Sequence, residues 1–382
     1  ENYDDIGIID AGKVGLVFGE LGMINPEFDW TYTGSEYQQY LGSSISNAGD
    51  VNNDGFDDFL VGSPYMTGIA ILTGKVELFL GSPTGPSATP SWYFEGTQYA
   101  ERFGTTMCGA GDINGDGYDD VLISSPTYDN GQTDEGKIFL FTGNETGLSL
   151  TPVWSFESNV AGANLGRGIG PAGDLNSDGF DDILAGAETY FNSPSSQGKA
   201  WAFYGSAAGL PASPSWIMNS TGSNVYLGEE VFTAGDVNND GFDDVLIGDH
   251  AFYVTGQQKG KAFLYYGSAS GLGSSANWSM GGNENGEGFG QTARGIGDQN
   301  GDGYDDFLLV ELYGRYGIQG TGVGYLYYGK PGTPSNQFKQ LLSVGNSGAT
   351  FGKYVGSAGE LNGGGLPDFV IQVPGYYSEY HD

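Results

Sequence analysis

A ten-residue stretch that recurs at a fixed spacing constrains the fold of this chain more than any other feature. Its first copy is GDVNNDGFDD at residues 49–58, and the later copies are GDINGDGYDD at 111, GDLNSDGFDD at 173, GDVNNDGFDD at 235 and GDQNGDGYDD at 297. A degenerate sixth copy, GELNGGGLPD, begins at 359, and every copy begins 62 residues after the one before it. A constant period of this length indicates a repeat architecture in which each period folds as one structural unit.

Oxygen-bearing side chains alternate along each copy, numbered here from its first acidic residue as loops 1 to 6 (residues 50–58, 112–120, 174–182, 236–244, 298–306 and 360–368). In the five intact loops, positions 1, 3, 5 and 9 carry Asp or Asn, position 6 carries glycine, and position 7 carries an aromatic residue that would contribute its backbone carbonyl. Six to eight converging oxygens with a glycine at the bend are what calcium requires. The predicted ligands are Asp50, Asn52, Asp54, Phe56 and Asp58; Asp112, Asn114, Asp116, Tyr118 and Asp120; Asp174, Asn176, Asp178, Phe180 and Asp182; Asp236, Asn238, Asp240, Phe242 and Asp244; and Asp298, Asn300, Asp302, Tyr304 and Asp306.

The five intact loops predict about five structural calcium ions. The apolar run after position 9 is β-like rather than helical, so we predict nine-residue calcium turns between strands and not EF-hands. Loop 6 keeps Glu360, Asn362 and Asp368, but Gly364 replaces the aspartate at position 5, and we expect this loop to bind calcium weakly or not at all. The alternative is that the segments are turns without metal, because Asn, Gly and Asp favour turns on their own.

The charge of the chain excludes several classes of partner. The formal net charge is −34, and 22 of the 47 acidic residues lie in the six repeated stretches. Five calcium ions would leave a net charge of about −24, which would still repel nucleic acids and anionic membranes. No apolar stretch reaches the roughly 18 to 20 residues of a membrane-spanning helix. The first ten residues do not resemble a signal peptide, so we expect any export signal to have been removed.

Each period is predicted to fold as four short strands, which in the first copy are residues 41–49, 57–64, 74–81 and 91–96. Four antiparallel strands repeated radially are typical of a β-propeller. Residues 11–34 supply only the third and fourth strands of a unit, and residues 351–375 supply only the first and second. We therefore predict a single six-bladed propeller over residues 1–382, closed by a two-plus-two strand clasp, with seven blades as the alternative. The predicted blades are residues 41–96, 103–158, 165–220, 227–282, 289–345, and 351–375 plus 11–34.

The combined motif resembles the FG-GAP repeat of integrin α-subunit propellers and their microbial and fungal relatives. The closest copy is FGTTMCGAGDINGDGYDDVLISSP at residues 103–126. The resemblance implies a calcium-stabilised propeller, secreted or at a cell surface, that binds a protein or a glycan. Integrin propellers have seven blades, whereas the repeat count here gives six. The uniform length of all connections also leaves open an engineered scaffold without a natural ligand.

The strand order predicts which loops share a face. The loops between strands one and two, and between strands three and four, would lie on one side. The loops between strands two and three, and between strands four and one, would lie on the other. The two-to-three loops vary in sequence and carry aromatic residues, and variable loops on a rigid scaffold are where binding is usually found. The candidate ligand-binding residues are Tyr65, Tyr128, Tyr190, Phe252, Tyr253, Tyr313 and Tyr316. Alternatively, these rings pack the loops against their neighbours.

A second aromatic series repeats with the same period. Trp30, Trp92, Trp154, Trp216 and Trp278 occupy one register of the fourth strand. Packing between repeats is the interpretation that we favour, and a repeated sugar-stacking platform is the alternative.

The motifs argue against an enzyme, because the chain has two histidines and no nucleophile, zinc or phosphate-loop signature. We predict a non-enzymatic, monomeric, calcium-binding propeller that recognises or adheres to a protein partner outside the cell or at its surface. A lectin of the same fold is the alternative.

Overall fold

The computed structural model describes residues 10–18, 28–190, 198–220, 226–283, 286, 288–313, 322–343, 351–359 and 364–373. Throughout these residues the secondary structure consists of β-strands, turns and irregular segments, with no helix. The predicted all-β class is therefore confirmed. Because the described part of the chain contains no helix of sufficient length and apolarity, no helical membrane span is found there.

The chain divides into two compact units. Unit 1 comprises Glu1–Pro171, Phe180–Phe191 and Phe203–Ser213, and unit 2 comprises Ala172–Gly179, Asn192–Ala202 and Pro214–Asp382. Each unit contains four-stranded sheets of the kind predicted for propeller blades.

Unit 1 begins with a two-stranded antiparallel sheet of β1 (Lys13–Leu16) and β2 (Trp30–Thr33). A four-stranded sheet follows, with its strands in chain order: β3 (Ser44–Gly49), β4 (Asp58–Ser63), β5 (Lys75–Phe79) and β6 (Trp92–Glu95). The next sheet takes β7 (Met107–Gly111), β8 (Asp120–Ser125), β9 (Lys137–Phe141) and, after the short hairpin of β10 (Gly143–Asn144) and β11 (Gly147–Leu148), β12 (Trp154–Glu157). All pairings given for these sheets are antiparallel.

The third repeat provides β13 (Gly168–Gly173), β14 (Asp182–Ala187), β15 (Lys199–Phe203) and β16 (Trp216–Asn219), and β15 pairs antiparallel with β16. In unit 2, a four-stranded sheet contains β17 (Glu230–Gly235), β18 (Asp244–Asp249) and, beyond the hairpin of β19 (Tyr253–Val254) and β20 (Gln257–Gln258), β21 (Lys261–Tyr265) and β22 (Trp278–Gly281). Another contains β23 (Phe289–Gly297), β24 (Asp306–Glu311), β25 (Val323–Tyr327) and β26 (Gln340–Leu342). Finally, β27 (Val355–Gly359) pairs with β28 (Asp368–Ile371).

The second strand of each repeat lies at the centre of the core. All six residues of β8, β14, β18 and β24 are buried, including the aspartate that begins each strand. A strand buried on both faces reads as a continuous apolar run and not as an alternation. This explains why the residues that follow each position-9 aspartate are mostly apolar, and it fixes the end of each loop in a rigid environment.

In repeats 1 to 4 the first strand begins later than the sequence predicts, whereas in repeat 5 it begins at Phe289, the predicted position. The predicted strand at 41–49 starts at Ser44, because Leu41 instead forms an isolated parallel bridge with Gly12. A Cβ atom on Gly12 would lie 2.3 Å from the Leu41 carbonyl oxygen. The Gly-Lys pairs and the Leu-Gly or Phe-Gly pairs therefore keep the same spacing because their backbones are in contact. The equivalent bridge joins Gly136 to Leu165.

A β-bulge precedes the loops of repeats 1, 2, 4 and 5. The register between β3 and β4 shifts between Asn47 and Gly49, and the equivalent shift in unit 2 lies between Thr233 and Gly235. Gly49 has φ of 77°, a left-handed conformation that glycine adopts without strain. The bulge turns the chain out of the sheet immediately before position 1.

The two ends of the chain each carry a two-stranded sheet, as the clasp requires. Residues 13–33 contain β1 and β2, and residues 355–371 contain β27 and β28. The blade count, the closure and the single-domain boundaries remain predictions.

Candidate metal loops and aromatic loops

The bend of each intact loop has the backbone geometry that the sequence predicts. The position-6 glycines have left-handed φ angles, +91° at Gly55 and +85° to +89° at Gly117, Gly179, Gly241 and Gly303. Nothing lies within 4 Å of a Cβ atom built on Gly55. The glycine is therefore required by the backbone conformation and not by packing.

The oxygens at positions 1 and 3 converge on the interior of the loop. In loop 1, the Asp54 amide donates to Asp50 Oδ1 at 3.0 Å and to Asn52 Oδ1 at 3.2 Å. The Gly55 amide donates to Asp50 Oδ2 at 2.7 Å. Loop 3 repeats the arrangement with distances of 3.1 Å and 3.0 Å. Two side-chain oxygens that approach one amide hydrogen lie close enough together to share a cation.

The carboxylate at position 5 orients the residue at position 7. The Phe56 amide donates to Asp54 Oδ1 at 3.0 Å, and the Tyr118 amide donates to Asp116 Oδ1 at 3.1 Å. This bond fixes the peptide plane next to the carbonyl that the sequence assigns as a ligand. The aromatic ring at position 7 needs no polar partner for this role.

The buried aspartate at position 9 connects the loop to the end of the third strand through two hydrogen bonds. Asp58 Oδ2 accepts the Val51 amide at 3.0 Å, and its Oδ1 accepts the Gly81 amide at 2.7 Å. Burial is the main cause that raises the pKa of this carboxyl to about 6. Burial likewise raises the pKa of Asp120 to about 7, of Asp244 to about 8 and of Asp306 to about 6.

The same hydrogen bonds explain why a glycine recurs at the end of each third strand. The Gly143 amide donates to Asp120 Oδ1 at 2.9 Å. A Cβ atom at Gly143 would lie 2.4 Å from the Asp119 carbonyl oxygen and 2.6 Å from that of Val51. The same bond recurs at Gly205, Gly267 and Gly329. The sequence shows the recurrence, but only the structure shows its cause.

The aspartate at position 8 joins one loop to the loop before it, a role that the sequence analysis missed. Asp119 Oδ2 accepts the amide of Asp50 at 2.8 Å. The equivalent bonds run from Asp112 to Asp181, from Asp174 to Asp243 and from Asp236 to Asp305, at 2.8 to 2.9 Å. A signal was present, because position 8 is Asp in all five intact loops and Pro367 in loop 6.

The donor set fits calcium in its chemistry. Positions 1, 3, 5, 7 and 9 offer oxygens alone, which suits a hard cation. Among the described residues, no group of three or more His, Cys, Asp or Glu side chains is arranged to hold a metal ion. A calcium site in these loops would not be such a group, because two of its five ligands are the Asn side chain at position 3 and the backbone carbonyl at position 7. The loops thus supply suitable ligands. In this conformation the carboxylates at positions 1 and 5 accept hydrogen bonds from backbone amides of the same loop.

The predicted loop faces agree with contacts inside the units. Thr127, in a two-to-three loop, donates its hydroxyl to the Ala100 carbonyl of a four-to-one loop at 2.6 Å. On the other side, the Asn144 amide, next to a three-to-four turn, donates to the Val51 carbonyl of loop 1 at 3.0 Å. The two kinds of loop are therefore neighbours as the strand order requires.

The candidate ligand-binding aromatics divide into two groups. Tyr65, Tyr253 and Tyr313 are exposed large side chains. Tyr128, Tyr190 and Phe252 are partly buried. Tyr128 packs edge-on against Phe139 with a centroid distance of 6.1 Å, and Phe252 packs edge-on against Phe263 at 5.9 Å. Tyr316 lies outside the described residues. The first group keeps exposed area for binding, although Tyr65 also meets Tyr40 edge-on at 6.1 Å, and the second group suits loop packing.

The tryptophan series packs between repeats, which confirms the favoured interpretation. The indole N–H of Trp92 donates to the Ser149 carbonyl at 3.1 Å, and its ring meets Phe141 edge-on at 5.1 Å. Trp154 makes the same pair of contacts with Pro211 and Phe203. Repeated contacts of this kind identify the series as packing residues between repeats and do not favour one sugar platform around all of them.

The comparisons with known proteins agree with the repeat motif. The model of the FG-GAP repeat matches residues 41–70, 103–141 and 166–203. The chain is 36% identical to mouse integrin alpha-IIb over 162 residues, which are 40% of this chain and 15% of that protein. It is 30% identical to mouse integrin alpha-8 over 184 residues (44% and 17%), and 26% identical to integrin alpha-5 of Xenopus laevis over 235 residues (59% and 21%). The chain thus spans about a fifth or less of the length of these relatives.

Proposed function

We propose that this chain, which carries FG-GAP repeats and is related in sequence to integrin α subunits, is a non-enzymatic, calcium-stabilised propeller. Its role is to recognise a protein partner outside the cell or at the cell surface, as a monomer. The observation that carries the calcium part is the convergence of the position-1 and position-3 oxygens on one amide in loops 1 and 3.

In this proposal, each intact loop holds one ion through the side chains at positions 1, 3, 5 and 9 and the carbonyl at position 7. Loop 2 would use Asp112, Asn114, Asp116 and Asp120 with the carbonyl of Tyr118. The cation supplies positive charge to carboxylates that otherwise repel one another, and its binding to the folded state alone stabilises that state. Calcium thus acts on stability and not on chemistry.

The experiment is a thermal melt in excess chelator and again after calcium is restored, with bound metal counted by elemental analysis. About five calcium ions per chain and a large reversible loss of Tm on chelation support the proposal. An unchanged Tm in chelator, with no metal bound, contradicts it and leaves the loops as turns.

We also propose the six-bladed closure, in which β27 and β28 complete the sheet begun by β1 and β2. Support comes from the first strand of repeat 1. Ile45 in β3 is 56% exposed, whereas its equivalents Met107, Ile169, Val231 and Ala293 are 1% to 6% exposed. In four later repeats this apolar position is buried. Its exposure in the first repeat therefore supports the proposal that another part of the chain packs against β3. In the closed ring, that part of the chain is the C-terminal hairpin.

Partner recognition is assigned to the exposed aromatics of the two-to-three loops. Tyr65, Tyr253 and Tyr313 combine large apolar area with a polar tip, which is the composition of binding hot spots. The test compares a variant in which all three are alanine with a control in which three exposed side chains outside these loops, Tyr93, Leu150 and Val153, are alanine. Binding to a panel of purified extracellular-matrix proteins should fall in the first variant and persist in the control. Equal binding by both variants contradicts the assignment.

Two alternatives give different results. A lectin would bind a glycan array in calcium and lose that binding in chelator. A scaffold without a natural ligand would bind neither the matrix panel nor the array.

A further inference from the structure

A cavity of about 420 Å³ lies in unit 2 between β16 and the strands β21 and β22. Its walls include Trp216 and Met218 from β16, Phe263 and Tyr265 from β21, and Ser279 from β22. Pockets that bind small molecules usually measure 300 to 1,000 Å³ and combine apolar walls with a few polar groups. This cavity has the size and the composition of such a pocket.

The cavity lies where repeat 3 departs from both earlier repeats at one apolar position, because Met218 stands where repeats 1 and 2 have Phe94 and Phe156. At the equivalent of Met218, repeat 1 has Phe94, whose ring packs on Phe141 at 5.1 Å and on Phe103 at 5.2 Å. The residue equivalent to Phe103 is Leu227, which also lines the cavity. Leu also occupies this position in repeats 1 and 3, at Leu41 and Leu165. The change that distinguishes repeat 3 is therefore the replacement of a phenylalanine ring by the Met218 side chain, which opens the volume that the Phe94 ring occupies in repeat 1.

A buried acid in the wall of the cavity has an unused oxygen. Asp249 is fully buried, and its Oδ1 accepts the Tyr226 amide at 3.1 Å. Within the part of the chain that the structure describes, its Oδ2 has no hydrogen-bond partner. The equivalent residues in repeats 1 to 3 are Ser63, Ser125 and Ala187. A buried carboxylate oxygen without a partner is costly, so a ligand that donates a hydrogen bond to it would be stabilised.

A lysine in the same wall also differs from its equivalents. Lys75 forms an ion pair with Glu77 at 3.0 Å, and Lys137 forms one with Glu157 at 2.8 Å. Like Lys137, which lies over Tyr128 and Phe139, Lys261 lies over the rings of Phe252 and Phe263, with its Nζ 5.3 Å and 4.8 Å from their centroids. No ion pair of Lys261 is found in the described residues. Its N–H donors are therefore available to the cavity.

The charges in the wall select against a charged ligand. A cation that approached Asp249 would meet Lys261, and an anion that approached Lys261 would meet Asp249. A neutral molecule with several hydroxyl groups satisfies both, because each hydroxyl donates one hydrogen bond and accepts others. The rings of Trp216, Phe263 and Tyr265 offer apolar surface to its C–H groups.

We propose that this cavity binds one neutral sugar residue, with Asp249 accepting from hydroxyl groups and Lys261 donating to them. The site belongs to one repeat, unlike the platform around the whole ring that the tryptophan series first suggested. It does not depend on the protein-recognition proposal, because it involves none of Tyr65, Tyr253 and Tyr313.

The test uses the intact chain in calcium, titrated with the methyl glycosides of glucose, galactose, mannose, fucose and N-acetylglucosamine. Saturation-transfer NMR reports contact, and Trp216 fluorescence, isolated as the part of the signal lost in Trp216→Phe, reports occupancy. At least one glycoside should bind with one-to-one stoichiometry. Met218→Phe restores the side chain of repeat 1, fills the cavity and should weaken binding at least about tenfold. Met280→Phe makes the same change one repeat later, outside the cavity, and should leave binding unchanged.

A second variant distinguishes loss of the binding site from loss of the fold. Asp249→Ser introduces the residue of repeats 1 and 2, and it should abolish binding while a cooperative melt persists. The proposal is overturned if no glycoside binds, if binding survives Met218→Phe, or if charged probes such as lysine methyl ester or acetate bind more tightly than every glycoside.

Discussion

Asp119 accepts the backbone N–H of Asp50 at 2.8 Å, across 69 residues of sequence, and so completes the first turn of a loop in the preceding repeat. The same bond occurs in three further pairs of loops. Neighbouring loops are thus coupled through a carboxylate that is outside the predicted calcium ligands.

This coupling can be tested at Asp119. Asp119→Ala removes a charged acceptor from a partly buried amide, and we expect the free energy of unfolding to fall by about 1–3 kcal/mol. Asp119→Asn keeps one oxygen acceptor and should recover part of the loss. Urea denaturation measures both, with Glu145→Ala, at an exposed position, as the control for the loss of one negative charge. Equal stabilities of Asp119→Ala and Glu145→Ala would show that the bond contributes nothing.

Removal of one calcium ligand should remove one ion. Asp116 occupies position 5 of loop 2, and Asp116→Ala should lower the calcium content by one per chain. Its Tm should fall by less than the Tm of wild type falls in chelator, because four loops remain intact. Elemental analysis and thermal melts check both statements, with Glu145→Ala again as control. A full calcium content in Asp116→Ala contradicts the assignment of loop 2.

The buried position-9 carboxyls predict an unusual dependence on pH in the absence of calcium. Burial raises the pKa of Asp120 to about 7 and of Asp244 to about 8. The folded state therefore binds more protons than the unfolded state, whose aspartates titrate near a pKa of about 3.9. Stability in chelator should consequently rise as the pH falls from about 8 to about 5.5. In saturating calcium the rise should disappear, since calcium and protons compete for the same oxygens. Melts at several pH values decide the matter, and a chelated protein that loses stability over this interval contradicts the prediction.

Ring closure can be tested at a side chain that repeat 1 leaves uncovered. Ile45→Asp should destabilise the protein by at least about 3 kcal/mol if β27 and β28 cover it, because closure would bury an unpaired charge. Ile69→Asp is the matched control, since Ile69 is exposed in a loop, and it should change stability by less than about 0.5 kcal/mol. Denaturant titration compares the two. If both changes are equally mild, β3 faces solvent and the six-bladed closure is wrong.

The features that sequence alone predicts are those that depend on neighbouring residues. The bend at Gly55 follows from local turn chemistry, and the apolar run of β8 follows from a short strand buried on both faces. Even the packing role of Trp92 could be inferred, because a large apolar ring gains most from burial.

The features that escape sequence analysis depend on contacts between repeats. The partner of Asp119 lies 69 residues away, so its role needs a neighbouring loop in space. The start of the first strand was placed too early, because Leu41 pairs with Gly12 and not within its own sheet. The unused oxygen of Asp249 and the cavity beside it are tertiary features that the sequence does not show.

The donor and the acceptor of the hydrogen bond from Asp50 to Asp119 are synthesised in a fixed order. Translation proceeds from the N-terminus, so the amide of each loop leaves the ribosome before the carboxylate that will accept its hydrogen bond. A nascent chain therefore always carries one unfinished loop at its growing end, and each new repeat completes the one made before it. In loop 6, where Pro367 takes the place of the aspartate, this succession stops.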